Sequence, residues 1–451
     1  MEILPLVDEG LGNSSYLVGL EDGRALVVDP LRDPSPYLAQ AERRGWRITH
    51  SLETHLHADF VSGGRELAAR GAELVAPAQA GLEFPHHPLG PEDELELGGL
   101  TLRALGTPGH TPEHLAYLLV DGDRPRALFS GGSLLVGSVA RTDLISPDQT
   151  EPLSRALFHT LRREILALPD ELAVYPTHGA GSFCTTGGSG ERTTTIGRER
   201  ATNPLLRIDD EDTFVATLLG GLGTFPHYFL RLREVNRRGP RVYGDHPPEL
   251  KALSVEEVRS LLAEGAELID VRPGPEFAAG HIGGALSIAL RDAFPAWLGW
   301  LVSEDRPLVF VLGETQDRRE LVGHCLKIGY EELAGELSGG MEAWQAAGLA
   351  LRQISLAGPG ELGEGTVLDV RQADEFSAGH IPGATHVELG SLTPSGPSLP
   401  HGPLTLHCAS GARAMTGASL LERQGRREVW VMPGGPGDWS SATGERLEVG
   451  G

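Results

Sequence analysis

Three groups of residues in this chain have the types and spacing that chemistry requires. The first is Cys408-Ala409-Ser410-Gly411-Ala412-Arg413. The apolar stretch Leu404–His407 before it reads as a strand, and a helix is expected from about Ala414. A short glycine-containing loop between strand and helix turns successive N–H groups inward and, with the helix N-terminus, forms an anion nest. Such a field favours thiolate over thiol and stabilises an additional anionic sulfur. Cys408 is therefore the expected nucleophile. Ala409, Ser410, Gly411 and Ala412 are expected to cradle the anion, and Arg413 to donate to an anionic substrate.

The second group is a set of histidines. Thr54-His55-Leu56-His57-Ala58-Asp59-Phe60 follows the strand-like Ile48–Glu53. Pro108-Gly109-His110-Thr111-Pro112 and Pro176-Thr177-His178-Gly179 come later. One such histidine alone is more often structural. Together, His55, His57, Asp59, His110 and His178 make a metal site the better reading. The third feature is Cys184, soon after His178 in a loop with Thr185, Thr186, Gly187 and Gly188; it is either a sulfur acceptor or a plain loop thiol. Cys325 sits among Leu321, Val322, Leu326 and Ile328 and is expected to pack in a core. His86 and His87 read as a solvated loop, and Arg231–Arg241 as a solvated helix end.

The elements that position these groups alternate between strand and helix. Ser15–Gly19 and Ala25–Val28 read as strands joined by a Glu-Asp-Gly turn, and Gly64–Arg70 as a helix. The second half repeats itself. Leu268–Arg272 returns as Val367–Arg371, Glu276-Phe277 as Glu375-Phe376, and Gly280-His281-Ile282 as Gly379-His380-Ile381, at one offset of about 99 residues. Gly339-Gly340 with Trp344 returns as Gly434-Gly435 with Trp439. Ser254 is placed to cap a helix running to Ala263, with Glu257 at the third position. Each repeat thus reads as a small parallel α/β sheet.

With 451 residues the chain is too long for one ordinary domain. A hydrophobic fraction of 40% supports real cores. The net charge of −24 argues against nucleic acid or an anionic membrane as partner. The N-terminal residues lack the pattern of a secretory signal, and no apolar run has the length of a membrane span. Three cysteines without CxxC spacing suggest no disulfide framework and a reducing cytoplasm.

The repeat resembles the rhodanese family. The resemblance rests on Asp369-Val370-Arg371, Glu375-Phe376, Gly379-His380-Ile381-Pro382-Gly383-Ala384 and the Cys408–Arg413 loop, and it covers most of each repeat. It implies that Cys408 carries a persulfide and exchanges sulfur with thiosulfate or sulfite. In the first repeat, Pro307–Val311 aligns with Pro403–His407, which sets Leu312 opposite Cys408. The loop after it, Gly313–Arg318, has no sulfur and two acids. This copy is expected to be catalytically silent and to serve docking or spacing.

The N-terminal part resembles the metallo-β-lactamase fold over roughly Leu11–Gly181, through Asn13–Val18, Val28-Asp29-Pro30, the His55–Asp59 motif, Gly109-His110-Thr111 and Ala140–Leu144. Within that fold it looks like the persulfide dioxygenase branch, in bacterial fusions with two rhodanese units. Phe60 is one reason, because two-metal hydrolases carry a histidine ligand there. The resemblance implies one Fe(II) held by two histidines and an aspartate, with open positions for oxygen and substrate. The histidines transfer to His55 and His110. The aspartate belongs in Phe129–Leu134, where this chain has Gly131-Gly132. Water, His57, Asp59 or His178 then completes the shell, or the site is weak or empty. Zinc is the alternative metal. A cysteine placed like Cys184 lies near the metal in the fusions and takes up sulfur.

The expected architecture is α/β throughout: a metallo-β-lactamase αββα sandwich over residues 1–245, a rhodanese-like domain lacking the cysteine over 246–353, and a rhodanese domain with Cys408 over 354–451. The expected function is detoxification of small persulfides to sulfite, with sulfur passed through Cys408 to give thiosulfate. Two other functions remain open: a sulfurtransferase on a degenerate, metal-poor scaffold, and a zinc thioester hydrolase of glyoxalase II type. The expected partners are small persulfides and sulfite or thiosulfate, with no nucleic acid and no membrane, in a homo-oligomer.

Overall fold

A computed structural model of the chain describes residues 1–185, 190–363 and 365–450. Thr186, Gly187 and Gly188 of the Cys184 loop lie outside the described residues. Two compact units emerge: Met1–Pro248 with Gly323–Tyr330, and Glu249–Val322 with Glu331–Gly451. No described helix is long and apolar enough to cross a membrane.

The first unit is an αββα sandwich. One six-stranded sheet runs Glu2–Asp8, Asn13–Gly19, Arg24–Val28, Arg47–Leu52, Glu73–Pro77, His87–Leu89. The other runs Thr194–Thr195, Ala173–Pro176, Arg124–Gly131, Leu115–Asp121, Thr101–Gly106, Glu94–Glu96. Strand Asn13–Gly19 is buried along its whole length because it has a layer on each face. Tyr16 and Val18 point into the core between the sheets with Leu102, Leu119 and Phe129. Leu17 points the other way, under a helical layer that supplies Tyr37, Ala41 and Leu67. Leu157, Leu161 and Phe214 cover the opposite face. The helix expected over Gly64–Arg70 ends at Ala68, and its last turn closes through Arg70 and Gly71 N–H groups on Leu67 and Ala68 carbonyls.

The second unit contains two parallel five-stranded sheets of the same topology. In chain order of pairing they are Ala252–Leu253, Leu333–Leu337, Leu308–Val311, Glu267–Asp270, Leu286–Ser287 and Ser355–Leu356, Val429–Val431, Leu404–His407, Thr366–Asp369, Thr385–His386. Registers match as well: Asp270 pairs with Val311, and Asp369 with His407. The next residues along are Leu312 and Cys408, as the alignment expected. Ser254 and Glu257 form the capping box. Cys325 is fully buried, as expected of a core residue.

The repeated motifs are structural staples. Arg371 donates through Nη2 to Asp369 Oδ2 at 2.6 Å and to the Gly379 carbonyl at 2.8 Å. Arg272 does the same to Asp270 at 2.6 Å and Gly280 at 2.9 Å. His380 stacks on Phe376 and His281 on Phe277, both with ring centroids 3.8 Å apart. These interactions tie a strand end to the next loop, so a copy without a nucleophile still needs them.

Candidate functional site

The first unit brings His55, His110 and His178 together, with one ring nitrogen from each within 4.8 Å of the others. All three are buried. Their hydrogen-bond partners dictate which nitrogen carries the proton. His110 Nδ1 meets the Arg141 carbonyl at 2.7 Å, so Nδ1 donates. His178 Nδ1 donates to Asn13 Oδ1 at 3.1 Å and lies 3.3 Å from Asp59 Oδ2. Thr54 gives its hydroxyl proton to Asp29 and therefore accepts from His55 Nδ1 at 2.8 Å. In the neutral rings of His55 and His110 this leaves Nε2 as the lone pair. His55 Nε2 and His178 Nε2 face each other at 3.4 Å. That separation is what two imidazoles about 2.1 Å from one ion adopt. Burial and neighbouring rings hold His55 and His110 well below the ordinary histidine range, hence neutral. This donor set fits a single borderline transition-metal ion.

His57 does not belong to that set. Its Nε2 lies 3.1 Å from Asp29 Oδ1 and 3.5 Å from Glu53 Oε2. Burial opposes its charge, yet Asp29 and Glu53 push its pKa up to about 10. His57 also meets Asp29 and His55, and Asp59 and His178, in two further groups whose candidate ligand atoms lie within 4.8 Å of one another. Phe60 stacks on its ring at 4.2 Å and is fully buried. Asp59 is held low: burial opposes ionisation, but the His178 ring and the Asn13 amide, 2.7 Å from Oδ2, outweigh it. It orients His178, as a carboxylate behind a metal-bound imidazole does.

Asp29 and His114 carry roles that spacing alone did not reveal. Asp29 sits at φ 49°, a strained conformation for a non-glycine residue. It accepts from Thr54 N at 2.7 Å, from Thr54 Oγ1 at 2.8 Å, and from Thr177 Oγ1. It therefore clamps the residues immediately before His55 and His178. The sequence signal for Asp29 is the Val28-Asp29-Pro30 stretch itself. His114 stacks on His55, donates to Thr107 and accepts the Gly132 N–H at 2.9 Å. Its burial lowers it to about 4, so it too is neutral.

Cys184 faces the Asp59 carboxylate, and its carbonyl accepts from Arg141 N at 2.9 Å. Arg141 thus joins the Cys184 loop to His110. Burial first, then the Asp59 charge, push the Cys184 thiol well up. It stands beside the histidines as a protonated thiol.

In the second unit Cys408 is buried at the end of its strand, and the Gly411 N–H donates to its Sγ at 3.1 Å. Gly411 adopts φ 85°, and a Cβ there would meet the Pro433 backbone at 2.9 Å, so glycine is required. The helix starts at Ala412, two residues earlier than expected. Ala409 and Ser410 are exposed at the loop tip. Arg413, expected to donate to an anionic substrate, binds Glu375 through Nη1 and Nη2 at 2.5 and 2.7 Å. Glu375 belongs to the repeated Glu-Phe motif, and only tertiary folding brings it here.

Comparison with known proteins agrees with this geometry. A model of the metallo-beta-lactamase superfamily matches residues 8–178, and a rhodanese-like domain model matches 254–347 and 357–442. A hydroxyacylglutathione hydrolase of Rhodopseudomonas palustris (strain BisB18) is 30% identical over 249 residues, spanning 49% of this chain and 93% of that protein. The chain belongs to the metallo-beta-lactamase superfamily and carries two rhodanese-like domains. The mitochondrial persulfide dioxygenase of Homo sapiens is 28% identical over 202 residues, covering 44% of this chain and 73% of that protein. A crystal structure of a metallo-beta-lactamase from Staphylococcus aureus subsp. aureus COL aligns with TM-score 0.65 and 29% identity, covering 75% of this chain and 98% of the other.

Within the metallo-beta-lactamase domain, Gly132 stands where the resemblance places an aspartate ligand. A Cβ at Gly132 would lie 2.5 Å from His110 Cδ2 and 2.9 Å from its Cγ. The His110 ring occupies the room a side chain would need, and its bond to Arg141 keeps it there. Gly132→Asp is therefore expected to displace His110 and cost about 1–3 kcal/mol in stability. A lower melting temperature together with less bound metal per chain checks this; tighter metal binding at unchanged stability would contradict it.

Proposed function

We propose that this chain is a sulfur-metabolising enzyme with two linked activities. In the metallo-beta-lactamase domain, His55, His110 and His178 hold one iron ion. When bound, that ion supplies open positions where oxygen and a persulfide sulfur can meet. The residues around it fix the three imidazoles and set His57 against Asp29 and Glu53. The reaction consumes one persulfide, one dioxygen and one water and yields the thiol, sulfite and two protons. In the last rhodanese domain, with a boundary near residue 353, Cys408 carries a persulfide whose outer sulfur passes to sulfite. The S–S bond breaks, the new S–S bond forms thiosulfate, and Cys408 returns as thiolate. Three free cysteines suit a reducing cytoplasm.

The observation that carries this reading is the meeting of buried His55, His110 and His178, with two Nε2 atoms 3.4 Å apart, in a chain that also holds the Cys408 loop. Similarity to a persulfide dioxygenase supports the choice of substrate. Oxygen uptake by the iron-loaded chain with glutathione persulfide tests it, and one sulfite per O2 is expected. No uptake with one iron per chain would remove the oxygenase half.

A second reading, thioester hydrolysis with zinc, is favoured by the identity to hydroxyacylglutathione hydrolases. Phe60 and Gly132 weigh against it, since neither can bind a second ion. Turnover of a glutathione thioester by the zinc-loaded chain would favour this reading.

A further inference from the structure

The rhodanese copy that lacks the loop cysteine packs along the helix that follows the Cys408 loop. Helix Ala412–Arg423 lies on strand Leu286–Ser287 and on helix Gly274–Ala279. The Ser287 N–H donates to Ser419 Oγ at 3.1 Å in a buried contact. His281 Nε2 lies 3.3 Å from the Glu422 carboxylate, and Arg423 Nε donates to the Gly284 carbonyl at 2.8 Å. A Cβ on Gly274 would touch Met415 at 3.6 Å. The contacts run from the first turn of the helix to its last, within one compact unit.

Beyond that strand, the N–H groups of Ile288 and Leu290 donate to the carbonyls of Asp270 and Val271 at 3.1 and 2.9 Å. The chain therefore continues along the carboxyl edge of its sheet, the edge where parallel α/β sheets bind ligands. Arg291 comes next and is half-buried. Among the described residues its guanidinium has no hydrogen bond and no ion pair. The charged groups acting on it are Cys408, Arg413 and Asp292. Arg413 is paired with the Glu375 carboxylate through Nη1 and Nη2, whereas Arg291 has no such partner. The cation beside Cys408 with donors to spare thus comes from the other copy.

We propose that Arg291 is an anion-binding residue of the Cys408 site and receives the SO3 end of an inorganic sulfur oxyanion. This rests on reading Cys408 as the sulfur carrier. The Cys408 thiolate attacks the outer sulfur of thiosulfate. A Cys408 S–S bond forms as the S–SO3 bond breaks, and the electron pair leaves with sulfite. A planar guanidinium offers two parallel N–H groups to two of the three oxygens, and negative charge grows there as sulfite departs. The silent copy is then half of the binding site.

The test uses the full chain with Arg291→Ala, Arg291→Lys and Cys408→Ser. In Arg291→Ala the KM for thiosulfate is expected to rise roughly 10- to 100-fold, the worth of one charged hydrogen-bond pair. The KM for cyanide should stay within about twofold. Millimolar guanidinium should restore part of the loss, and Arg291→Lys should keep part of it. Loading of Cys408 from glutathione persulfide, which has no SO3 group, should match the parent by mass spectrometry. An unchanged thiosulfate KM, or equal losses with both donors, would overturn the proposal. Transfer that survives in Cys408→Ser would overturn the carrier reading itself, whatever Arg291 does.

Discussion

Cys408→Ser is expected to lower thiosulfate-to-cyanide sulfur transfer at least about a thousandfold, a loss of roughly 4 kcal/mol in barrier terms. Serine keeps the shape of the side chain but cannot hold a sulfane sulfur, and its hydroxyl is not ionised at neutral pH. The Gly411 N–H that now reaches Sγ at 3.1 Å would face a neutral oxygen. No other residue can take over. The equivalent position in the first rhodanese-like domain is Leu312, which is buried. Burial pushes the Cys325 thiol up. Cys184 is raised by burial and by Asp59. The melting temperature should move little, because the swap is nearly isosteric and breaks no buried pair. Residual transfer above about a tenth of the parent rate would sink the assignment.

How much of this was legible in the sequence follows from how local each signal is. The duplication was legible because the same residues return at one offset, and the matching registers of Asp270 with Val311 and Asp369 with His407 bear it out. The strand–loop–helix around Cys408 was legible because each part is contiguous. The meeting of His55, His110 and His178 was foreseen as a cluster. The carboxylates beside His57 were not, because long-range pairing brings Asp29 to the ring. The pairing of Arg413 with Glu375 is hidden for the same reason: Glu375 lies on another element. The Gly132 departure was visible as a missing carboxylate, but the ring filling its place appears only in three dimensions.

His178→Ala is expected to reduce bound metal from one ion per chain to a small fraction, with affinity falling at least about 100-fold. Two imidazoles would remain, and the lone pair facing His55 at 3.4 Å would be gone. His57→Gln provides the contrast. If His57 were a ligand, metal content would fall just as far. As an ion-pair partner it should instead leave the three Nε2 donors in place, while Asp29 and Glu53 lose their shared cation. Losing one member of a buried charge cluster costs about 3–5 kcal/mol. The expected pattern is therefore metal loss in His178→Ala, which also leaves the buried Asp59 carboxylate without its imidazole, and stability loss at near-parent metal content in His57→Gln. Metal analysis of the purified variants beside their unfolding curves separates the two. The reverse pattern would mean that His57 holds the ion and that the three-histidine assignment is wrong.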